Sequence, residues 1–365
     1  MGSTLLLAIV IVVALAFDFT NGFHDTANAM ATSIATKALR PRVAVALSAV
    51  LNLAGAFISL KVATTIAQGI VDSSLITLNA LLAALIGAIA WNLITWYLGL
   101  PSSSTHALIG GLIGAAWVAG GASAVKTSAV LGKVIVPALV SPVLAAAVAV
   151  LGTFLAYRVV RSLPRGAGHR GYRYGQIGSA SLVSLAHGTN DAQKTMGVIT
   201  LALIIHGSIG KHASTPAWVI IACATMIGLG TYIGGWRIIR TLGHRLTQVE
   251  SPQGFAAETS GAFVLLSSSY FGYPLSTTHI VSGAVLGSGL GKKLADVRWS
   301  LAGRIGVAWL VTLPAAALVA AGVFEASKGL GTGSSGPIAM ALLACVLAGV
   351  LFWTAQRNPV TAADV

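Results

Sequence analysis

Two short stretches of this chain place carboxylates and amides inside apolar sequence. Two others place hydroxyls directly after a proline. Asn21-Gly22-Phe23-His24-Asp25-Thr26-Ala27-Asn28-Ala29-Met30 carries Asp25 between Asn21 and Asn28; His187-Gly188-Thr189-Asn190-Asp191-Ala192-Gln193-Lys194-Thr195-Met196 carries Asp191 beside Asn190, Gln193 and Lys194. A carboxylate inside an apolar span costs about 3 kcal/mol and calls for a cation or a proton as partner. Carboxylate, amide and unwound backbone oxygens are hard ligands, suited to Na⁺, Mg²⁺ or H⁺. Gly22 and Gly188 are expected to interrupt the helices at these points. Glu258, at the start of a later apolar run, is a further candidate for the same site. Asp18 is a weaker one, because its equivalent, Ser184, is not acidic. The plainer alternative is a polar brace between helices.

The hydroxyl stretches are Pro101-Ser102-Ser103-Ser104-Thr105-His106 and Pro274-Leu275-Ser276-Thr277-Thr278-His279. Proline ends one helix, and the Ser/Thr side chains then stand at the start of the next, where backbone N–H groups lack partners. Those donors and the positive end of the helix dipole suit an anion. Ser103, Ser104, Thr105, Ser276, Thr277 and Thr278 add hydroxyl donors, and two such ends face to face would surround a small tetrahedral oxyanion. For one copy alone, ordinary helix caps would be the better reading. His106 and His279 follow the Thr of each turn with no nucleophile elbow and no oriented acid, so a Ser/His hydrolase finds no support.

The elements that carry these residues must lie in a membrane. Of 365 residues, 56% are hydrophobic and only 8% charged, whereas soluble domains carry about 25% charged residues. The mean hydropathy is +0.85. A water-soluble enzyme, a disordered tail and a disulfide scaffold are excluded, leaving an all-α polytopic membrane protein. Apolar runs lie at 4–21, 43–67, 75–99, 103–121, 130–157, 176–205, 217–236, 253–272, 275–290, 305–325 and 336–354. Cys223 and Cys345 form no C-x-x-C and carry no redox information. The first run has no basic leader and reads as a retained span.

The +13 net charge would point to nucleic acid in a soluble protein, but here positive-inside crowding of cytoplasmic loops explains it better. Basic residues cluster at Lys37/Arg40/Arg42, from Arg158 to Arg173, at Arg237/Arg240/Arg245, at Lys292/Lys293/Arg298/Arg304 and at Arg357. An even number of apolar runs separates each cluster from the next. One sidedness therefore puts all of them on the cytoplasmic face, with the N-terminus outside and the C-terminus inside.

The two aspartate stretches are offset by 166 positions, and the two proline turns, in the same order, by 173. This is an internal repeat. On the sidedness above, the chain meets the two copies from opposite faces, so the repeat is inverted, as in many secondary transporters. The expected organisation is a first inverted repeat over 1–160, a basic cytoplasmic linker over 161–175, a second inverted repeat over 176–325, and a terminal span with a short tail over 326–365. Broken helices and paired re-entrant or half-helix turns are expected within it.

At these four motifs the chain resembles the inorganic phosphate transporter (Pit-type) family, in its bacterial low-affinity branch. Residues 21–29 and 187–194 are similar to the two family signatures, and Pro101–His106 and Pro274–His279 to its paired turns. The resemblance spans residues 5 to about 325. It implies an inverted-repeat secondary transporter of the inner membrane that imports phosphate by alternating access. The Asp and Asn residues would hold the coupling cation, and the Ser/Thr turns the phosphate.

One departure matters. Sodium-coupled members tend to repeat Asp-x-x-Asn in both halves; here Asp25-x-x-Asn28 is matched by Asp191-x-x-Lys194. An ammonium there could replace one bound Na⁺, so proton coupling is expected, with Na⁺ as the alternative. No resident cofactor is expected. A divalent metal could travel with phosphate as a neutral complex, as the resemblance implies. Sulfate or thiosulfate is the alternative cargo, and an anion channel or a phosphate sensor the alternative class. Expected partners are phosphate and membrane lipid, not nucleic acid, and a homodimer is left open.

Overall fold

The computed structural model describes residues 2–162, 167–292, 297–331 and 333–365. Arg165, Lys293 and positions 163–166 of the expected linker lie outside the described residues. Helix follows helix: α1 (Gly2–Ala35), α2 (Pro41–Gly55), α3 (Lys61–Gly69), α4 (Leu78–Leu98), α5 (Ser104–Gly120), then α6 (Thr127–Val130) leading through a π turn at Leu131–Ile135 into α7 (Val136–Ser162). The same order returns as α8 (Ala167–His206), α9 (Ala217–Ile233), α10 (Trp236–Arg240) with a π turn at Thr241–Arg245, α11 (Ser251–Phe271), α12 (Thr277–Lys292) and α13 (Trp299–Gly329). Among the described residues α13 answers to α6 and α7 together, and α14 (Ser335–Gln356) has no counterpart. Small features repeat as well: isolated bridges join Val71 to Val125 in one half and Thr247 to Val297 in the other.

Local chemistry explains the helix ends that matter. Thr77 caps α4 by accepting from the Ala80 N–H. Gly99 (φ 66°) and Gly272 (φ 75°) close α4 and α11 in the left-handed conformation, which glycine adopts without the Cβ penalty. Pro101 and Pro274 follow within two residues, so the chain must turn before α5 and α12 begin.

Among the described residues, five helices are long and apolar enough to cross a membrane: α1, α4, the joined α6–α7, α13 and α14; α9 with α10 makes a sixth if their 58° bend is counted as one span. Other apolar runs read differently in the structure, those at 103–121 and 275–290 forming the shorter α5 and α12. The 43–67 run divides into α2 and α3, because the chain leaves the helix at residues 56–60. The runs at 176–205 and 253–272 are helical throughout, as parts of α8 and α11, but their many polar residues keep them out of the span set. Those polar residues line the site described below.

The two halves exchange partners. α1 packs on α9, and α8 on α2; α5 packs on α13, and α12 on α7. The glycines of the aspartate motifs do not interrupt their helices, contrary to the expectation, since α1 and α8 run unbroken through Gly22 and Gly188. Instead they allow close crossing. A Cβ on Gly22 would sit 2.5 Å from the Ile227 carbonyl oxygen, and one on Gly188 2.1 Å from that of Asn52.

α1 and α8 lie side by side in opposite directions. Asp18 meets Thr195, Asn21 meets Asp191 and Thr36 meets Gln176, so one number falls as the other rises. Equivalent helices of the two halves thus run antiparallel, which is compatible with an inverted repeat. Two apolar cores flank this pair. One holds Leu7 to Phe17 of α1 with Met196 to Leu203 of α8; the other holds Ala27 to Ile34 with Ala180 to Ala186. Between them lies a buried polar layer.

Candidate functional site

The polar layer is where the four motifs converge. α5 and α12 start there, each capped by its own serine. Ser103 Oγ accepts from the His106 N–H at 3.0 Å, and Ser276 Oγ from the His279 N–H at 3.2 Å. Beside these ends stand the two aspartates, fully buried. Ser104 donates to Asp25 Oδ2 at 2.8 Å, and its equivalent Thr277 donates to Asp191 Oδ1 at 2.8 Å. The next residue of each turn reaches the opposite half. Thr278 Oγ1 accepts from Asn28 Nδ2 at 3.0 Å and lies 3.4 Å from Asp25 Oδ1. Thr105 Oγ1 accepts from Lys194 Nζ at 2.5 Å and donates to the Leu275 carbonyl at 3.1 Å.

The hydroxyl turns and the aspartates are therefore one network. Sequence reasoning treats them as an anion site and a cation site; in the structure each carboxylate accepts a hydroxyl donor from a turn. Asp191 is also paired with Lys194 Nζ at 2.7 Å and accepts from Asn190 at 3.0 Å and Asn21 at 3.4 Å. Asn190 donates further to the Leu275 carbonyl at 2.8 Å. Asp25 is joined to His24 Nδ1 at 2.6 Å. A buried charge is tolerated only when paired and hydrogen-bonded; Asp191 has the Lys194 ammonium, and Asp25 has hydrogen bonds with Ser104 and His24.

Acceptor atoms remain over. Asn21 Oδ1, Asn190 Oδ1 and His187 Nε2 are buried without a hydrogen-bond partner. His187 Nε2 lies 3.3 Å from Asp191 Oδ2 but is not aligned to bond to it. Asp25, His187 and Asp191 offer ligand atoms all within 4.8 Å of one another. Two carboxylates, an imidazole nitrogen and amide oxygens form a donor set that fits a cation.

Glu258 does not join this network. Its Oε1 accepts from Thr32 at 2.6 Å, Ser33 at 2.7 Å and Gln176 at 3.2 Å, and its Oε2 from Ser179 at 2.6 Å. Thr32 is seven residues beyond Asp25 on α1, about 10 Å at 1.5 Å per residue. The equivalent positions in the other half, Val10, Val13, Leu85, Val198 and Ile199, are all apolar, so the two halves differ here. Gln193, grouped by sequence with the ligand amides, serves another purpose: its Oε1 accepts the first N–H groups of α3, from Val62 at 2.8 Å and Ala63 at 3.2 Å. Asp18 accepts from Thr195 at 3.0 Å, on the opposite side of the layer from Glu258.

Thr95 and Ser102 escaped sequence reasoning. Thr95 Oγ1 lies 3.2 Å from His24 Nε2 and 2.7 Å from Ser102 Oγ, so the two hydroxyls hold the imidazole that touches Asp25. Thr95 sits in an apolar helix with no motif around it, and its role depends on how α4 lies against α1. Ser102 is visible only as a member of the turn.

A model of the phosphate transporter family matches residues 21–170 and again 163–320. The chain belongs to the phosphate transporter family. The double match coincides with the repeated helix order. The transporter is 57% identical over 361 residues to a "Probable low-affinity inorganic phosphate transporter" of Mycobacterium bovis, covering 99% of this chain and 86% of that protein. A relative of the same description from Rhizobium meliloti is 45% identical over 320 residues, covering 87% of this chain and 95% of its own. Among solved structures, "The sodium-dependent phosphate transporter" superposes with a TM-score of 0.80 at 25% identity, covering 89% of this chain and all of the other.

Proposed function

We propose that this family member imports inorganic phosphate as a proton-coupled symporter with alternating access. The anion is taken up where α5 and α12 begin, by Ser103, Ser104, Thr105, Ser276, Thr277 and Thr278 together with the helix-end N–H groups. The observation that carries the reading is that Ser104 and Thr277 give their hydroxyl hydrogens to Asp25 and Asp191. A phosphate oxygen competes for those same donors, and a carboxylate that loses its donor needs a proton or a cation instead. Substrate and coupling ion are then bound together because they share hydrogen-bond partners.

Proton rather than sodium coupling is favoured by Lys194. Its ammonium stands between Asp191 and Thr105, in the place where Asn28 stands in the other half beside Asp25 and Thr278. A fixed charge there removes the need for one metal ion. The likeness to the sodium-dependent phosphate transporter supports sodium as the alternative. Uptake into proteoliposomes under a pH gradient without sodium tests the choice; strict dependence on sodium would overturn it.

A divalent metal arriving with phosphate is a second reading, favoured by the Asp25–His187–Asp191 constellation. Mixed nitrogen and carboxylate ligands suit Mn²⁺ or Zn²⁺ better than an alkali ion. The antiparallel pairing of α1 with α8 supports inverted repeats over 1–160 and 176–325 with a linker between them. The basic clusters, all placed on one face by the even count of apolar runs between them, support an N-terminus outside and a C-terminus in the cytoplasm of an inner-membrane protein. Excess unlabelled sulfate, set against labelled phosphate, separates the two cargoes.

A further inference from the structure

On the far side of the two turns from the aspartates, His106 and His279 meet each other. Their ring centroids are 4.7 Å apart, edge to face, and His279 stacks on Trp309 at 4.2 Å. Trp309 in turn donates its indole N–H to the Pro101 carbonyl at 3.1 Å. The rings form the inner wall of a cavity of about 340 Å³ between α7 and α13, lined otherwise by Ala138, Pro142, Gly306 and Leu310 among apolar neighbours. That volume lies within the range of about 300–1,000 Å³ found for small-molecule pockets.

Two acceptors of the wall call for a donor. His279 is 4% exposed, and one edge of its ring faces the Ala138 backbone while the other ring nitrogen has no hydrogen-bond partner. Pro142 lies inside α7 and Pro314 inside α13, and a proline deprives the carbonyl four residues earlier of its donor. Those carbonyls belong to Ala138 and Leu310, both of which line the cavity; the first faces the His279 ring and the second is left for a ligand. The rim is the opposite in character. Leu139 and Leu310 are exposed, as are Val136, Val140, Val143, Val307 and Val311 along the same two helices. In a membrane the mouth opens to lipid.

We propose that this cavity binds a single-chain amphiphile from the bilayer, an alcohol or an undissociated carboxylic acid. A neutral imidazole offers one donor and one acceptor; its N–H is met by the Ala138 carbonyl, which leaves the other ring nitrogen and the Leu310 carbonyl as acceptors, so the head must donate a hydrogen bond. A charged head would pay the cost of an ion at membrane depth. The apolar rim takes the chain. The ligand then sits against the residues whose backbone N–H groups Ser103 and Ser276 cap, directly behind the phosphate turns.

The test is photolabelling of the full chain in lipid nanodiscs with a diazirine-bearing dodecanol, followed by peptide mapping. Label is expected on α7, α12 and α13 around the cavity, competed by unlabelled dodecanol. It should fall at least about fivefold in Gly306→Leu, where the added side chain starts in open space and fills the pocket. A diazirine alkane without the hydroxyl should not label there. Equal labelling by the alkane, label spread over all lipid-facing helices, or labelling unchanged in Gly306→Leu would each overturn the proposal. So would a change of oligomeric state in Gly306→Leu without cavity labelling in the wild type, which would make the groove a contact between copies. None of these readouts depends on phosphate transport.

Discussion

Lys194 and Asn28 do the same job in opposite halves of the molecule. Each donates across to the Thr that precedes the histidine of the other half's turn, Lys194 to Thr105 and Asn28 to Thr278, and each stands beside its own half's aspartate. The geometry is conserved between the halves while the charge is not.

Lys194→Asn restores the symmetric pattern and should convert the protein toward sodium dependence. A sodium gradient is expected to drive phosphate uptake in this variant that it does not drive in the wild type. Lys194→Met is the control: it breaks a buried ion pair, costs about 3–5 kcal/mol, and should lower the yield of folded protein. Unchanged ion dependence in Lys194→Asn would count against the coupling assignment.

Ser104→Ala and Thr277→Ala should have matching effects, because each removes the hydroxyl that binds one aspartate. Loss of a buried donor costs about 1–3 kcal/mol, or about 5- to 150-fold in phosphate affinity. Equilibrium binding of labelled phosphate to purified protein measures it. A tight-binding Ser104→Ala beside a dead Thr277→Ala would show that the anion is held by one turn alone.

His187→Ala removes the nitrogen from the three-ligand constellation. Stimulation of phosphate uptake by Mn²⁺ is expected to disappear, while uptake without added metal persists. Retained stimulation would place the metal elsewhere.

Glu258→Ala should act on stability. Four donors, from Thr32, Ser33, Gln176 and Ser179, lose their acceptor, and each buried orphan costs about 1–3 kcal/mol. A lower melting temperature in detergent is expected. Phosphate affinity should stay within about twofold, since sites more than about 7–10 Å apart act nearly independently. Lost affinity at an unchanged melting temperature would bring Glu258 into the site.

Gly188→Leu should prevent assembly. Even its Cβ would lie 2.1 Å from the Asn52 carbonyl, and backbone cannot yield there as a flexible side chain can. Fluorescence-detected size exclusion should find no monodisperse species.

The sequence by itself determined that this is a helical membrane protein with a duplicated core. Composition and backbone satisfaction in lipid leave no other state, and the offsets of 166 and 173 positions expose the repeat without coordinates. It also picked out both aspartates, both turns and the odd Lys194, because charged and hydroxyl residues inside apolar runs are conspicuous. Tertiary structure decided the rest. That the turns and aspartates are one network depends on α1, α5, α8 and α12 meeting in one layer. Glu258 drops out of the network because α11 carries it about two turns along α1. Gly22 and Gly188 look like helix breakers in the sequence, since glycine weakens a helix. Only the crossings with α9 and α2 reveal them as contact points. Thr95, without a motif, became a site residue solely through the helix it faces. A pattern along the chain reports what each residue can do; which partners it finds is set by packing between segments far apart in sequence.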